Sequence, residues 1–390
     1  MTRTLIAFAV VACLGAISFA ASTRSGLLEE ERAAATPTTL VPRPVTTLEP
    51  APTTTTAGEF DLGAGPPVGD VQRPTTTVVT TTTEPDPYAW LETVPVEGRT
   101  FVGVSTQTGA LDEVTEFAAA AGAVPDAVMV SRGWADATAD LAVVEEITAA
   151  GHLPVIAWEP WDFDAESSFD RRRGEQPEFA LATIIDGDHD ELIEDWATAL
   201  AEWGRPVAIR FAHEMNGYWY PWSESVNGNA PGQYVAAWRH VHDVFEEAGA
   251  DNVIWIWSPN PTQPTLTPLA GLYPGDDYVD WLGVVGYLGN GIDPSVFVPT
   301  FDQLFGPTIA EIRELSDLPI VITEIGATED GGAKASWIRH VLGEVDRRDD
   351  IVGFIWFEVD KETDWRIVSS AEATAAFAES LETGAFGIPR

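Results

Sequence analysis

The chain has 390 residues, with 21 Lys plus Arg against 61 Asp plus Glu and a formal charge of -40. So acidic a protein is a poor match for nucleic acid or an anionic membrane surface, whose own charge it would repel, and it leaves neutral ligands open. The single cysteine, Cys13, supplies no disulfide, so an exported domain must be held by its core alone, which a domain of about 300 residues can supply.

In chain order, the first 87 residues read as targeting and spacer sequence. Arg3 precedes an apolar run from Leu5, with small residues around Ala20 and Ser22, the layout of a secretory signal peptide over residues 1–22. Cys13 follows Val10, Val11 and Ala12 as in a loose lipid-attachment motif, but the apolar run continues to Ala21. Cleavage, lipidation and retention as an anchor all stay open. Residues 23–87 are dense in Thr and Pro and poor in large apolar side chains, so burial cannot offset their ordering entropy. They read as a disordered linker suited to O-glycosylation. The expectation is a secreted protein, with the linker serving as a cell-surface tether or as a spacer to another module.

From residue 88 onward apolar runs alternate with helical stretches. Phe101 to Val104 precedes A-L-D-E-V-T-E-F-A-A-A-A-G, Ala127 to Val130 precedes D-L-A-V-V-E-E-I-T-A-A-G, and Leu153 to Trp158 precedes, after a long loop, D-E-L-I-E-D-W-A-T-A-L-A-E-W-G. Runs at 206–211, 252–257, 281–286, 318–323 and 351–357 complete eight. Continuous apolar strands alternating with helices that end in glycine fit a parallel sheet covered on its outside. Eight repeats predict an α/β fold, a (β/α)8 TIM barrel over residues 88–390. The alternative, an open α/β sheet, lacks support from any Gly-rich phosphate loop.

In such a barrel the C-terminal ends of the strands form the active site. Those ends carry Trp134, then Trp158, Glu159 and Trp161, then His213 and Glu214, then Trp257 and Asn260, then Tyr287, Glu324, and finally Trp356 and Glu358. Aromatic faces stack on the C–H faces of sugars and carboxylates accept their hydroxyls, so the rim suits a neutral carbohydrate. Trp196, Trp203, Trp238, Trp281 and Trp337, in helices or strand interiors, are expected to be packing residues. Glu214 and Glu324, on strands across the mouth from each other, match the need of glycoside hydrolysis for one protonated and one ionised carboxyl group. Arg210, behind His213 on the same strand, should point inward and help keep carboxylates ionised.

The stretch I-R-F-A-H-E-M-N-G-Y-W, with I-V-I-T-E-I-G later, resembles the signatures of glycoside hydrolase family 26 over roughly residues 101–360. That family consists of retaining barrels, mostly endo-β-1,4-mannanases, with some β-1,3-1,4-glucanases and β-1,3-xylanases. The resemblance implies Glu214 as general acid/base and Glu324 as nucleophile. It also implies His213 as a sugar ligand in the cleaved subsite, Tyr287 as a hydrogen-bond donor to the nucleophile, and Trp219 and Trp356 as aromatic walls. Trp158, Glu159, Arg210 and Asn260 complete the expected substrate-binding set.

Mannan is the first expected substrate. Two departures keep glucan and xylan beside it: W-E-P-W stands at the end of the third strand where mannanases tend to carry a histidine, and W-Y-P-W follows the acid/base in place of a W-F-W-W-like form. No cofactor and no metal are expected, because His189, His213, His240, His242 and His340 lack zinc spacing and Asp360 to Asp364 reads as a solvated turn rather than a calcium loop. The expected partner is a neutral β-linked polysaccharide, met by a monomer. The rival from another class is a non-catalytic carbohydrate-binding barrel, against which both carboxylates stand.

Overall fold

Eight strands pair in sequence order, all parallel, and the last closes on the first. They are β1 (Phe101–Thr106), β2 (Ala127–Gly133), β3 (Leu153–Glu159), β4 (Val207–Phe211), β5 (Val253–Trp257), β6 (Trp281–Leu288), β7 (Ile320–Ala327) and β8 (Ile351–Glu358). The computed structural model describes residues 88–93, 98–136, 139–165, 174–263 and 266–388. The signal-peptide and linker readings of residues 1–87 lie outside these. The helices on the outside are α1 (Leu111–Ala121), α2 (Ala142–Ala149), α3 (Leu181–Ile185), α4 (Asp190–Trp203), α5 (Gln233–Ala248), α6 (Phe301–Leu304), α7 (Gly306–Arg313), α8 (Lys334–Val345) and α9 (Ala371–Thr383). The barrel expected from the sequence is the barrel observed.

Alternation along each strand sorts the apolar residues into two cores. Phe101, Leu153, Val155, Ala157, Ala208 and Ile256 fill the barrel interior, while their neighbours Val102, Ile156, Trp158, Val207, Ile209 and Trp257 pack outward under the helices. The five tryptophans expected to be structural are so: Trp196, Trp238, Trp281 and Trp337 are buried, and Trp203 packs against the outer core. A short 3-10 helix, Ala89–Thr93, lies against the interior cluster, with Trp90 on Phe101 (ring centroids 5.7 Å apart) and Phe101 on Trp281 (5.5 Å). The N-terminal end of the barrel is thereby filled, which leaves the C-terminal mouth for chemistry.

One irregularity decides where a key side chain points. β7 alternates with Ile320 and Ile322 outward and Val321 inward, which by parity sends Glu324 outward. The register with β6 slips between Val284 and Val285, so that Ile322 faces Val284 but Glu324 faces Val285, and Thr323 is the extra residue. This β-bulge restores Ile325 to the outer core and turns Glu324 into the mouth. Thr323 ends fully buried, bonded to Ser258 at 2.7 Å.

Candidate active site

The tip of β4 is a strained turn held by its neighbours. Ala212 (φ 41°) and Glu214 (φ 55°) both adopt left-handed backbone without being glycine, which costs on the order of 1–3 kcal/mol each. Four of its peptide groups have partners outside the turn. Ala212 N–H donates to the Trp158 carbonyl at 3.0 Å and Glu214 N–H to the Ser258 carbonyl at 2.8 Å. The Ala212 carbonyl accepts from the Tyr234 hydroxyl at 3.2 Å, and the His213 carbonyl from the Trp222 indole at 2.7 Å. Asn216 then trades two bonds with the backbone of Asn260, at 2.8 and 2.9 Å, tying this turn to the loop after β5. Asn260 is thus at the rim, half-buried, and acts on the site through Asn216.

The aromatic run after Glu214 divides by role. Trp219 folds back and donates its indole N–H to Glu214 Oε2 at 3.0 Å. That approach requires Gly217, since a Cβ there would meet the Trp219 ring at 2.6 Å. Tyr220 stacks on Trp222 at 4.3 Å and 9°, and both pack edge-on against the His213 ring. These two are buttresses rather than sugar platforms.

Across the mouth, Glu324 has a donor on each oxygen. Arg210, 1% exposed and inward-facing as alternation required, forms an ion pair with Oε1, and the Tyr287 hydroxyl donates to Oε2 at 2.5 Å. The plane of the carboxyl is therefore fixed before substrate arrives. Burial opposes the charge of Arg210, but Glu324 and then Glu214 more than offset it and hold the guanidinium above its ordinary value. Burial first, and then Glu324, push the Tyr287 phenol well up, so it remains a donor.

His213 is buried, and burial followed by the Arg210 charge holds its pKa well below the usual histidine value. It is a neutral imidazole at neutral pH, and its Nδ1 has no hydrogen-bond partner. Glu159, the last residue of β3, is also inward and buried, with Oε2 accepting from the Trp161 indole at 3.0 Å and Oε1 without a partner at hydrogen-bond distance. Burial raises its pKa to about 7, against the opposing pull of Ser131 and Arg210. The structure brings Glu159, Arg210, His213, Glu214, Trp219, Tyr287 and Glu324 to one mouth.

Two expected sugar contacts are corrected. Trp158 is 1% exposed and packs outward among Trp134, Trp196, Phe211 and Phe245. Trp356 is fully buried against Phe377 of α9 at 5.1 Å. Both stand one residue from an inward position, and alternation sends the neighbour, Glu159 or Phe357, into the barrel instead. Trp134 and Trp257 likewise face the outer core, and Glu358 is a structural carboxyl that accepts from the Ile367 N–H at 2.8 Å. The aromatic layer beside Glu324 is Phe357 and Trp365, which pack on Tyr287 at 5.8 and 5.0 Å. Trp365 lies in the loop after β8, seven residues beyond the strand, where a reading of strand ends does not reach. Trp356→Ala is expected to cost about 3–5 kcal/mol of stability, with KM of the folded enzyme unchanged. Thermal unfolding beside kinetics would check this.

The acidic turn at Asp360 to Asp364 carries its own cations: Arg366 donates twice to Asp364, both at 2.8 Å, and Lys361 lies 3.4 Å from Glu362. Among the described residues no three His, Cys, Asp or Glu side chains are grouped to hold a metal ion.

Comparison with known proteins matches residues 149–340 to the model of glycosyl hydrolase family 26. Endoglucanase H of Acetivibrio thermocellus is 34% identical over 241 residues, covering 60% of this chain and 25% of that protein. A β-1,3-xylanase, TXYA, of a Vibrio species is 27% identical over 202 residues, covering 48% of this chain and 42% of the other. This chain therefore spans less than half the length of either relative. Among solved structures, the catalytic domain of a family 26 endo-β-1,4-mannanase from Bacillus sp. JAMB-750 superposes with a TM-score of 0.58 at 19% identity, over 77% of this chain and 90% of that one.

Proposed function

Since the chain belongs to glycoside hydrolase family 26, we propose that it is a retaining endo-β-glycanase acting on a neutral β-linked polysaccharide, with a β-glucan backbone placed first and mannan second. The observation that carries the reading is the pairing of Glu324, fixed by Arg210 and Tyr287, with Glu214, held by Trp219, across one mouth. In this mechanism Glu324 attacks the anomeric carbon as Glu214 gives its proton to the departing glycosidic oxygen, forming a glycosyl-enzyme ester. Glu214, now ionised, takes a proton from water as that water attacks the same carbon and releases Glu324. His213, neutral and with a buried Nδ1 that has no hydrogen-bond partner, suits a sugar hydroxyl in the cleaved subsite.

Two features support glucan. The similarity to an endoglucanase is higher, and runs over more of the chain, than that to the β-1,3-xylanase. The end of β3 also presents a Glu159 carboxyl, braced by Trp161, where mannanases tend to carry a histidine. A reducing-sugar assay on barley β-glucan, mannan, β-1,3-xylan and carboxymethylcellulose tests the reading, and inactivity on all four would reject it. If Glu159 selects the backbone, Glu159→His is expected to shift the ratio of kcat/KM for mannan over mixed-linkage glucan upward by roughly tenfold, about 1.4 kcal/mol of differential transition-state binding. An equal drop on both substrates would make Glu159 a structural residue. The same reading places the barrel outside the cell, where an intact polymer is met, in keeping with the export expected from residues 1–22. Activity that appears only after cell lysis, with none in the medium or on intact cells, would count against that placement.

A further inference from the structure

Trp365 reaches the mouth on a loop rather than a strand, so something must fix that loop. Lys334, the first residue of α8, is fully buried, and its Nζ donates to the carbonyls of Asp364 at 3.0 Å and Arg366 at 2.8 Å. These carbonyls belong to the two residues that flank Trp365. The same short segment is tied by the Trp365 N–H to the Val359 carbonyl at 3.0 Å, and by Thr363 to Thr328 at 2.8 Å. Trp365 in turn packs on Tyr287, whose hydroxyl engages Glu324. Gly326 keeps this contact close, since a Cβ there would meet Tyr287 at 3.1 Å and Trp365 at 3.4 Å.

We propose that Lys334 is a positioning residue whose ammonium, by gripping the backbone on both sides of Trp365, sets the aromatic wall and the Tyr287 hydroxyl against the nucleophile, and that loss of its proton releases this grip. The proposal rests on the glycosidase reading above. A buried ammonium is expensive, and an apolar side chain of similar length would fill the space, so its retention calls for a task beyond packing. Charge-assisted bonds to carbonyls are roughly twice as strong as neutral ones, which makes the grip depend on the proton. The groups facing Lys334 are Glu329 before α8, Glu358 at the end of β8, and Asp364 and Arg366 on the loop. The three carboxyls favour the charge and the guanidinium opposes it, while burial outweighs them all and lowers the pKa to about 8. The folded pKa lies below that of an unfolded lysine, near 10.4, so this group adds stability as pH rises from about 8 toward 10. Activity and this group's share of stability should therefore move in opposite directions, which no purely structural role would produce.

The test uses the full chain and a dinitrophenyl β-glycoside of a short oligosaccharide that the wild type accepts, whose leaving group needs no proton from Glu214. Wild-type kcat/KM is expected to fall about tenfold between pH of about 7 and 9, while this group's deprotonation contributes to a rise in melting temperature rather than a fall. Lys334→Arg, which keeps a permanent charge, should retain activity through that range. Lys334→Met should be about tenfold slower throughout and flat with pH. A wild-type alkaline limb that is absent near pH of about 8, or that persists in either variant, would overturn the proposal alone. The wild-type profile decides even if the variants fail to fold, and absence of wild-type turnover on any such glycoside would overturn the hydrolase reading with it.

Discussion

Glu324→Ala is expected to abolish turnover on polysaccharides and aryl glycosides alike, by on the order of 100,000-fold, because it removes the carboxylate proposed to attack the anomeric carbon. The substitution also leaves Arg210 buried without its anion, a change that costs about 3–5 kcal/mol in comparable buried pairs. Loss of activity alone is therefore an incomplete test. Glu324→Gln keeps oxygen and nitrogen in place of the two carboxylate oxygens, so its melting temperature should lie closer to wild type while its activity is equally low. Comparable melting temperatures with a comparable loss of activity in the Gln variant would assign the effect to chemistry. Substantial turnover by the Gln variant would remove Glu324 from the nucleophile role.

Glu214→Ala should fail in a different pattern. On polysaccharide, where the departing sugar oxygen needs a proton, the loss should be about 100- to 10,000-fold. On a dinitrophenyl glycoside the first step needs no such help, and the glycosyl-enzyme should accumulate because its hydrolysis has lost the base. Azide, a nucleophile that requires no deprotonation, should then restore turnover and yield a glycosyl azide. Equal losses on activated and unactivated substrates, with no response to azide, would mean that the two carboxylates had been given each other's roles. The structure adds a smaller expectation, since Trp219 loses the acceptor that now holds its indole. Truncation of Glu214 should therefore also loosen that wall and weaken binding.

The barrel, and the placement of several polar residues at its mouth, are legible in the sequence. Eight apolar runs separated by helical stretches dictate a closed parallel sheet, and His213, Glu214, Arg210, Tyr287 and Glu324 stand in it where the motif places them. The errors come from parity at strand ends. Trp158 stands at the end of its strand, and Trp356 where the family resemblance implies an aromatic wall, yet each is next to the inward residue and itself faces the helices. The inward turn of Glu324 had the opposite difficulty: strict alternation would have sent it out, and only a bulge at Thr323, invisible in composition or period, turns it in. The strained turn at Ala212 and Glu214 is hidden for a similar reason, because neither residue type advertises left-handed backbone. Trp365 lies on a loop whose path is set by tertiary bonds to Lys334 and Thr328, which no local pattern encodes.

The central claim, that Glu324 is the nucleophile of a retaining double displacement, is tested most directly by trapping the ester it would form. Incubation with a dinitrophenyl 2-deoxy-2-fluoro glycoside of the preferred sugar slows both steps, and the activated leaving group lets the first step outrun the second. Peptide mapping by mass spectrometry should then find one glycosyl group per chain, on the peptide that contains Glu324, and on Glu324 itself. An adduct on Glu214, or complete hydrolysis to the product of inverted configuration with no adduct on any carboxyl, would contradict the account.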